Sequence, residues 1–426
     1  MADLPGEELH ALVSRLYPIT RSITGQGVRQ TLEILSSVAP LRIVEVPSGA
    51  EVLDWTVPPE WNLREAWIRG PDGKRVLDVR DHGLHLVSYS VPVRARLPLS
   101  QLRPHLHALP GQPDAIPYRT SYYEPSWGFC LTQRQLDSLP EGEYEVCVDA
   151  SLSPGQLVWG EAVLPGESDE EVLVSAHVCH PWLADDNCSG MAIAAHLARR
   201  FAALPRRRLT TRFLFAPGTI GAIAWLARNR ERADRVRHGM TLTCLGDAHP
   251  FTWKRSFAGT AEIDRAARHV LVRSGLPHQL IDFFPYGYDE RQYNSPGFRL
   301  PVGSLMRGRH GQFPEYHTSA DDLSFVSPAR LAESFAVCSS ILELLQANGR
   351  YRNLHPDGEP QLGRRGLYRA LGGTDIPGLQ FAMLWVLNLS DGSHSLLDVA
   401  ERAGLDFPAV RAAADLLLQH GLLAPA

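Results

Sequence analysis

The chain has 426 residues, too many for one ordinary compact domain, so two or three domains are expected. Hydrophobic residues make up 44% and charged residues 21%, the balance of a soluble globular protein with a sizeable core, which excludes disorder as the main state. A formal net charge of −5 gives no electrostatic reason for nucleic acid or an anionic membrane as the main partner.

Residues 1–10 are polar and acidic, without the apolar core of a signal peptide. No stretch approaches the roughly 18 apolar residues of a membrane span. Cys130, Cys147, Cys179, Cys188, Cys244 and Cys338 are scattered without tight pairing, the pattern of reduced thiols in a cytoplasmic protein.

Residues 7–37 read as helical: Leu9, Leu12, Val13 and Leu16 form one stripe, and Val28, Leu32, Ile34 and Leu35 another after the Gly25-Gln26-Gly27 break. From about 41 to 150 the texture changes to short β-like runs (41–46, 66–68, 75–78 and 144–148) separated by prolines. From about 156 to 345 strands alternate with helices. Strands are expected at 171–176, 212–216 and 241–245, and helices over 191–201, from 223 to 230, and up to 275. Such alternation predicts an α/β core with a largely parallel sheet, whose chemistry collects at the carboxyl ends of the strands. The basic run Arg206-Arg207-Arg208 reads as a solvated entry to one strand. Residues 349–363, rich in Gly, Pro and Asn, read as a linker, and the spacing of 381–387, 395–403 and 408–420 suggests a small winged-helix-like domain.

The most informative segment runs from Val172 to Gly190. An apolar strand delivers His177 to its carboxyl end, Asp185 and Asp186 follow in a loop, and Asn187, Cys188, Ser189 and Gly190 open a helix of small residues. Imidazole and carboxylate both suit zinc, and small residues let a helix approach an ion closely. Far along the chain, His317-Thr318-Ser319-Ala320-Asp321 supplies a further candidate. Three protein ligands with one open position is the arrangement of a catalytic zinc. Taken singly, Asp-Asp-Asn before a helix is also an N-cap signal, and Asp321 has the same alternative.

This order of residues resembles the co-catalytic zinc aminopeptidases typified by bacterial leucyl aminopeptidase. A closer resemblance is to the bacterial aminopeptidase-like family found beside polysaccharide-biosynthesis genes. It is carried by Tyr123-Glu124-Pro-Ser-Trp127-Gly128-Phe129-Cys130, His177-Val-Cys-His180-Pro181, Asp289-Glu290-Arg291-Gln292-Tyr293, Pro296-Gly297-Phe298, residues 300–306 and Phe313-Pro-Glu315-Tyr316-His317-Thr318. The resemblance implies a three-layer α/β/α zinc-exopeptidase-like core over residues 1–45 and 140–350, an inserted β-rich domain over 46–139, and a winged-helix-like domain over 358–426. It also implies that His177, Asp186 and His317 are metal ligands.

The chain departs from the peptidase pattern where the strand at 212–216 ends. The resembling peptidases carry Glu-Glu there, one as general base and one as ligand of a second metal, whereas this chain has Gly218 and Thr219. Thr243 lies where a further aspartate is expected, with Asp247 shortly after, and Cys179 replaces the aspartate that orients the first histidine. One Zn2+ per chain is therefore expected, and a positioned base that typically adds about 10² to 10⁴ in rate is missing from its usual place. Glu315, two residues before His317 and on the same face if the segment is a strand, is a candidate replacement or a partner of the histidine. Asp289, Glu290, Asp247 and His180 are further candidates, His180 alternatively shaping its loop or donating to substrate. Arg291 is expected either to hold a substrate carboxylate or phosphate or to pair with Asp289 or Glu290. Tyr293 is expected at the substrate.

The C-terminal segment from Gln361 carries five arginines (364, 365, 369, 402, 411) against six carboxylates (Asp375, Asp391, Asp398, Glu401, Asp406, Asp415), with no basic recognition stripe. Protein contact, including self-association through this or the inserted domain, is expected rather than DNA. Three functions stay open: a zinc hydrolase of an amide next to a free amine, acting on a small molecule or short peptide; a tailoring enzyme making or breaking an amide in polysaccharide or natural-product assembly; and a non-catalytic scaffold. Gly218 favours the last two.

Overall fold

A computed structural model describes residues 5–367 and 377–426. Residues 1–4 and 368–376, parts of the expected peptidase-like and winged-helix domains that include Arg369 and Asp375, lie outside the described residues. The described residues divide into two units, 5–264 with 276–338, and 265–275 with 339–367 and 377–426.

The first unit is organised by an eight-stranded sheet. Its strands in chain order are β1 (Arg42–Pro47), β2 (Gln156–Leu164), β3 (Ser168–His177), β4 (Leu209–Ala216), β5 (Val236–Leu242), β6 (Phe251–Lys254), β7 (His278–Ile281) and β8 (Val302–Met306). Across the sheet they run β1-β2-β4-β3-β5-β8-β6-β7. The central strands β4, β3, β5 and β8 are parallel, while β2 and β6 meet their neighbours β4 and β8 antiparallel. Every residue of β4 is buried, as are Glu171–His177 of β3, so both faces of the centre are covered. Leu173 and Leu214 share one cluster with Ile220, Ile223 and Trp225 of the helix Ile220–Arg228. The helix Gly190–Ala202 packs on β3 and β4, and Gly6–Leu16 packs on it. Leu9, Leu12, Val13 and Leu16 turn inward, as their helical spacing predicts.

The inserted region is larger than the sequence suggests. Its four-stranded antiparallel sheet has the order Arg75–Asp78, Glu60–Arg69, Glu143–Ser153, Val93–Pro98, so the strand expected to return to the core at 140 belongs to the insert. A turn at residues 154–155 joins Glu143–Ser153 to β2, with no change of texture to mark the crossing. β1, conversely, stays in the main sheet up to Pro47.

The second unit holds the helices Pro377–Leu389, Leu396–Ala403 and Phe407–Gln419 and a three-stranded sheet with Arg350–Asn353 between Asp391–Ser395 and Leu423–Pro425. This is a winged helix, and its central strand comes from residues read as linker. The expected boundary at 358 is therefore too late. Ser395 accepts from Asp398 N at 3.2 Å and Asp398 reciprocates at 2.6 Å, a capping box that starts the middle helix. No described helix is long and apolar enough to cross a membrane, and the six cysteines are free and buried.

Candidate metal centre

β3 is apolar from Val172 to Val174 and pairs in parallel register with β4 up to His177 opposite Ala216, which sets the imidazole at the carboxyl edge of the sheet. The chain then turns through His180 and Pro181 to Asp185 and Asp186. Non-helical dihedrals at Asp186 and Asn187 swing both side chains inward before the helix at Gly190 begins. Gly190 has no room for a side chain: a Cβ would lie 2.5 Å from the Leu242 carbonyl oxygen. The small-residue opening of this helix is thus a packing requirement of the loop.

The three residues expected as ligands converge. Asp186 Oδ1 lies 2.9 Å from His177 Nε2, and Asp186 Oδ2 lies 3.0 Å from His317 Nε2. His180 joins them, its Nδ1 being 3.3 Å from Asp186 Oδ2 and 3.3 Å from His177 Nε2. The donor atoms of His177, His180 and Asp186 all lie within 4.8 Å of one another, the one such cluster among the described residues. Zinc holds nitrogen and oxygen donors at about 2.0–2.1 Å, which in a tetrahedron places the donors about 3.3 Å apart. Imidazole and carboxylate at these separations fit one such ion. Burial pulls the His177 imidazole down to about 4 and also lowers His317, favouring the neutral form that ligates. Burial works against charge on Asp186, yet His180, His177 and His317 hold its carboxyl well below the ordinary range.

The surroundings fix this loop. Asp321 is not a helix cap; its carboxylate accepts from Asp185 N at 2.6 Å and Asp186 N at 3.0 Å. Arg21, buried at 1% exposure, donates Nε to the His180 carbonyl (2.7 Å) and Nη2 to Cys188 Sγ (2.9 Å). Asp321→Ala leaves two buried amides unpaired, each costing about 1–3 kcal/mol. A lower urea midpoint together with weaker zinc retention is the expected outcome. The inserted region also contributes: Tyr118 N donates to the His317 carbonyl at 2.8 Å, and the Tyr118 ring stands edge-on to His180 and His317 with centroids 5.0 and 5.1 Å away. His317 and Thr219 both take positive φ, at 57° and 62°, the kind of unfavourable backbone that clusters at functional sites.

Other groups stand where the resemblance expects the carboxylates of a second metal. At Gly218 a Cβ would lie 2.0 Å from the Tyr288 hydroxyl, so the tyrosine occupies the volume a side chain would need. Thr243 Oγ1 lies 3.4 Å from Asp186 Oδ1 and 3.5 Å from His310 Nε2. Asp247 is engaged by the His249 amide at Oδ1 and by the Gly308 amide at Oδ2, 3.0 Å away.

The expected catalytic and substrate residues divide. Glu315 lies in a turn, not a strand, so the same-face argument with His317 does not hold; its Oε2 is nevertheless buried with no hydrogen-bond partner. Asp289 is buried and its Oδ1 accepts from Thr219 N at 2.7 Å, with burial pushing its carboxyl up to about 7. Glu290 forms a buried ion pair with Lys254 at 2.7 Å. Arg291 acts on Asp289 through its charge, holding that carboxyl down against burial, and its buried Nε has no hydrogen-bond partner. Tyr293 is a correction. It is 0% exposed, its hydroxyl lies 3.0 Å from Ser175 Oγ, and its ring packs on Trp225, so it belongs to the core and has no surface for substrate. Sequence reasoning missed Tyr288, His310 and Tyr118, which sit in loops without ligand spacing; the bare Gly218 was the one trace of Tyr288.

Residues 10–348 match the family model described as a domain of unknown function (DUF4910), and residues 349–425 match a winged helix-turn-helix model. A Clostridium acetobutylicum protein, named for polysaccharide biosynthesis with an aminopeptidase-like domain, is 47% identical over 419 residues, covering 98% of this chain and 96% of that protein. A crystal structure from the same organism, described as a peptidase, superposes with TM-score 0.93 at 45% identity over 99% of this chain and 96% of the other. A zinc aminopeptidase from Bacillus subtilis shares the fold at TM-score 0.58 and 13% identity, covering 80% of this chain and 95% of its own. A peptidase M28 precursor from Shewanella amazonensis does so at TM-score 0.55 and 15% identity, covering 81% and 93%.

Proposed function

The chain belongs to the family of the domain of unknown function DUF4910, and from that premise we propose that it is a cytoplasmic single-zinc hydrolase of an amide next to a free amine. The observation that carries the reading is the convergence of His177, Asp186 and His317, with His180 beside them, at the carboxyl edge of a parallel sheet. When bound there, zinc would polarise a carbonyl and lower the pKa of water to roughly 7. The chain's own groups do the rest. Asp186 holds the imidazoles in one orientation, Tyr118 packs edge-on against two of them, and Glu315, whose buried Oε2 has no partner, accepts the proton. Arg291, whose buried Nε has no hydrogen-bond partner, takes an anionic group of the substrate.

The name of the Clostridium relative favours a second reading, in which the same centre makes or breaks an amide during polysaccharide assembly. The winged helix, with five arginines against six carboxylates from residue 361 on, serves protein contact in either case. A panel of aminoacyl chromogenic amides tests the first reading on zinc-loaded protein. Turnover that falls about 10²–10⁴-fold in Glu315→Gln, with zinc content unchanged, is the expected result. Silence toward the whole panel with zinc bound moves the assignment to polysaccharide amide chemistry.

A further inference from the structure

Tyr288 belongs to an aromatic loop with one proline and one glycine, Pro285 and Gly287, yet it is held from both flanks. Its amide donates to Glu290 Oε2 at 3.0 Å, while Glu290 Oε1 receives Lys254 Nζ at 2.7 Å. The same ammonium donates to the Tyr286 carbonyl at 2.6 Å. On the other flank, Asp289 is docked on the Thr219 amide at 2.7 Å. These contacts carry the phenol across the bare Gly218 and tilt its ring over His177, centroid to centroid 3.8 Å. The hydroxyl ends 3.1 Å from His180 Nε2 and 3.1 Å from Cys179 Sγ.

We propose that Tyr288 is a positioning residue for the metal: by engaging Nε2 of His180 it turns Nδ1 toward Asp186 and makes His180 a ligand. An imidazole has two nitrogens, and the partner of one decides what the other can do. With Nε2 on the phenol, Nδ1 faces Asp186 Oδ2 and His177 Nε2, 3.3 Å from each. His180 would then stand with His177 and Asp186 as a residue able to hold the ion. This assignment rests on the single-zinc reading above and deepens it.

The test uses the full chain and zinc or cobalt alone. Tyr288→Phe keeps the ring and its packing and removes one hydroxyl. Zinc affinity measured against a competing chelator should fall about 10–100-fold, the usual consequence of losing a partner of a ligand, and the cobalt-substituted protein should shift its visible absorption. His180→Ala should lower affinity at least as far, and adding Tyr288→Phe to it should cost nothing more, because the hydroxyl acts through the ring. Wild-type protein that takes up one zinc, with Tyr288→Phe unchanged in affinity and cobalt spectrum, overturns this assignment alone; fully additive losses in the double variant do the same. Wild-type protein that takes up no zinc overturns the metal-centre reading and this assignment with it.

Discussion

Asp186→Ala is expected to purify without zinc. Its carboxylate touches all three imidazoles, Oδ1 meeting His177 at 2.9 Å and Oδ2 meeting His317 at 3.0 Å and His180 at 3.3 Å. The substitution removes the one carboxylate of the His177, His180 and Asp186 cluster, a proposed ligand. The loss of affinity should therefore exceed the roughly 10–100-fold caused by removing a supporting hydrogen bond. Metal analysis of the purified variant checks this, and His317→Ala should behave in the same way. The fold should survive, since Asp321 still holds the loop through the Asp185 amide and the backbone amide of residue 186.

The second large effect is on stability. Lys254 and Glu290 are 2% and 0% exposed at their side chains and pair at 2.7 Å beneath the loop that carries Tyr288. Lys254→Met leaves the Glu290 carboxylate buried without its cation, a change that costs about 3–5 kcal/mol when one partner of a buried pair is removed. A marked fall in the urea midpoint is the expected reading. Adding Glu290→Leu should recover part of it, because the desolvated charge is then gone while the Tyr288 amide stays without its acceptor. A single variant as stable as wild type would show that the pair is not buried as described.

The parts of this protein most legible in its sequence were those where period and position carry the signal. The inward stripe Leu9, Leu12, Val13 and Leu16 and the apolar run ending at His177 announced a helix and a central strand directly. The convergence of His177 with His317, 140 positions on, was foreseen from the order of motifs in a resembling family, since nothing local links the two segments. The inserted sheet was harder, because Glu143–Ser153 and β2 share one texture across a tight turn while belonging to different sheets. Tyr293 misled because a motif marks a region without saying which way each side chain points. The short helix Glu290–Tyr293 turns it against Trp225 and Ser175, away from the substrate it was expected to meet. Tyr288 left only the bare Gly218 as its trace: a lone aromatic in a loop has no periodicity, and its role depends on that glycine 70 positions earlier.

The most direct measurement is anomalous diffraction at the zinc edge from crystals of the zinc-loaded chain. One peak per chain is predicted, within ligand distance of His177, Asp186 and His317. Two peaks in the cluster, or a peak elsewhere with these side chains bare, would contradict the single-zinc account.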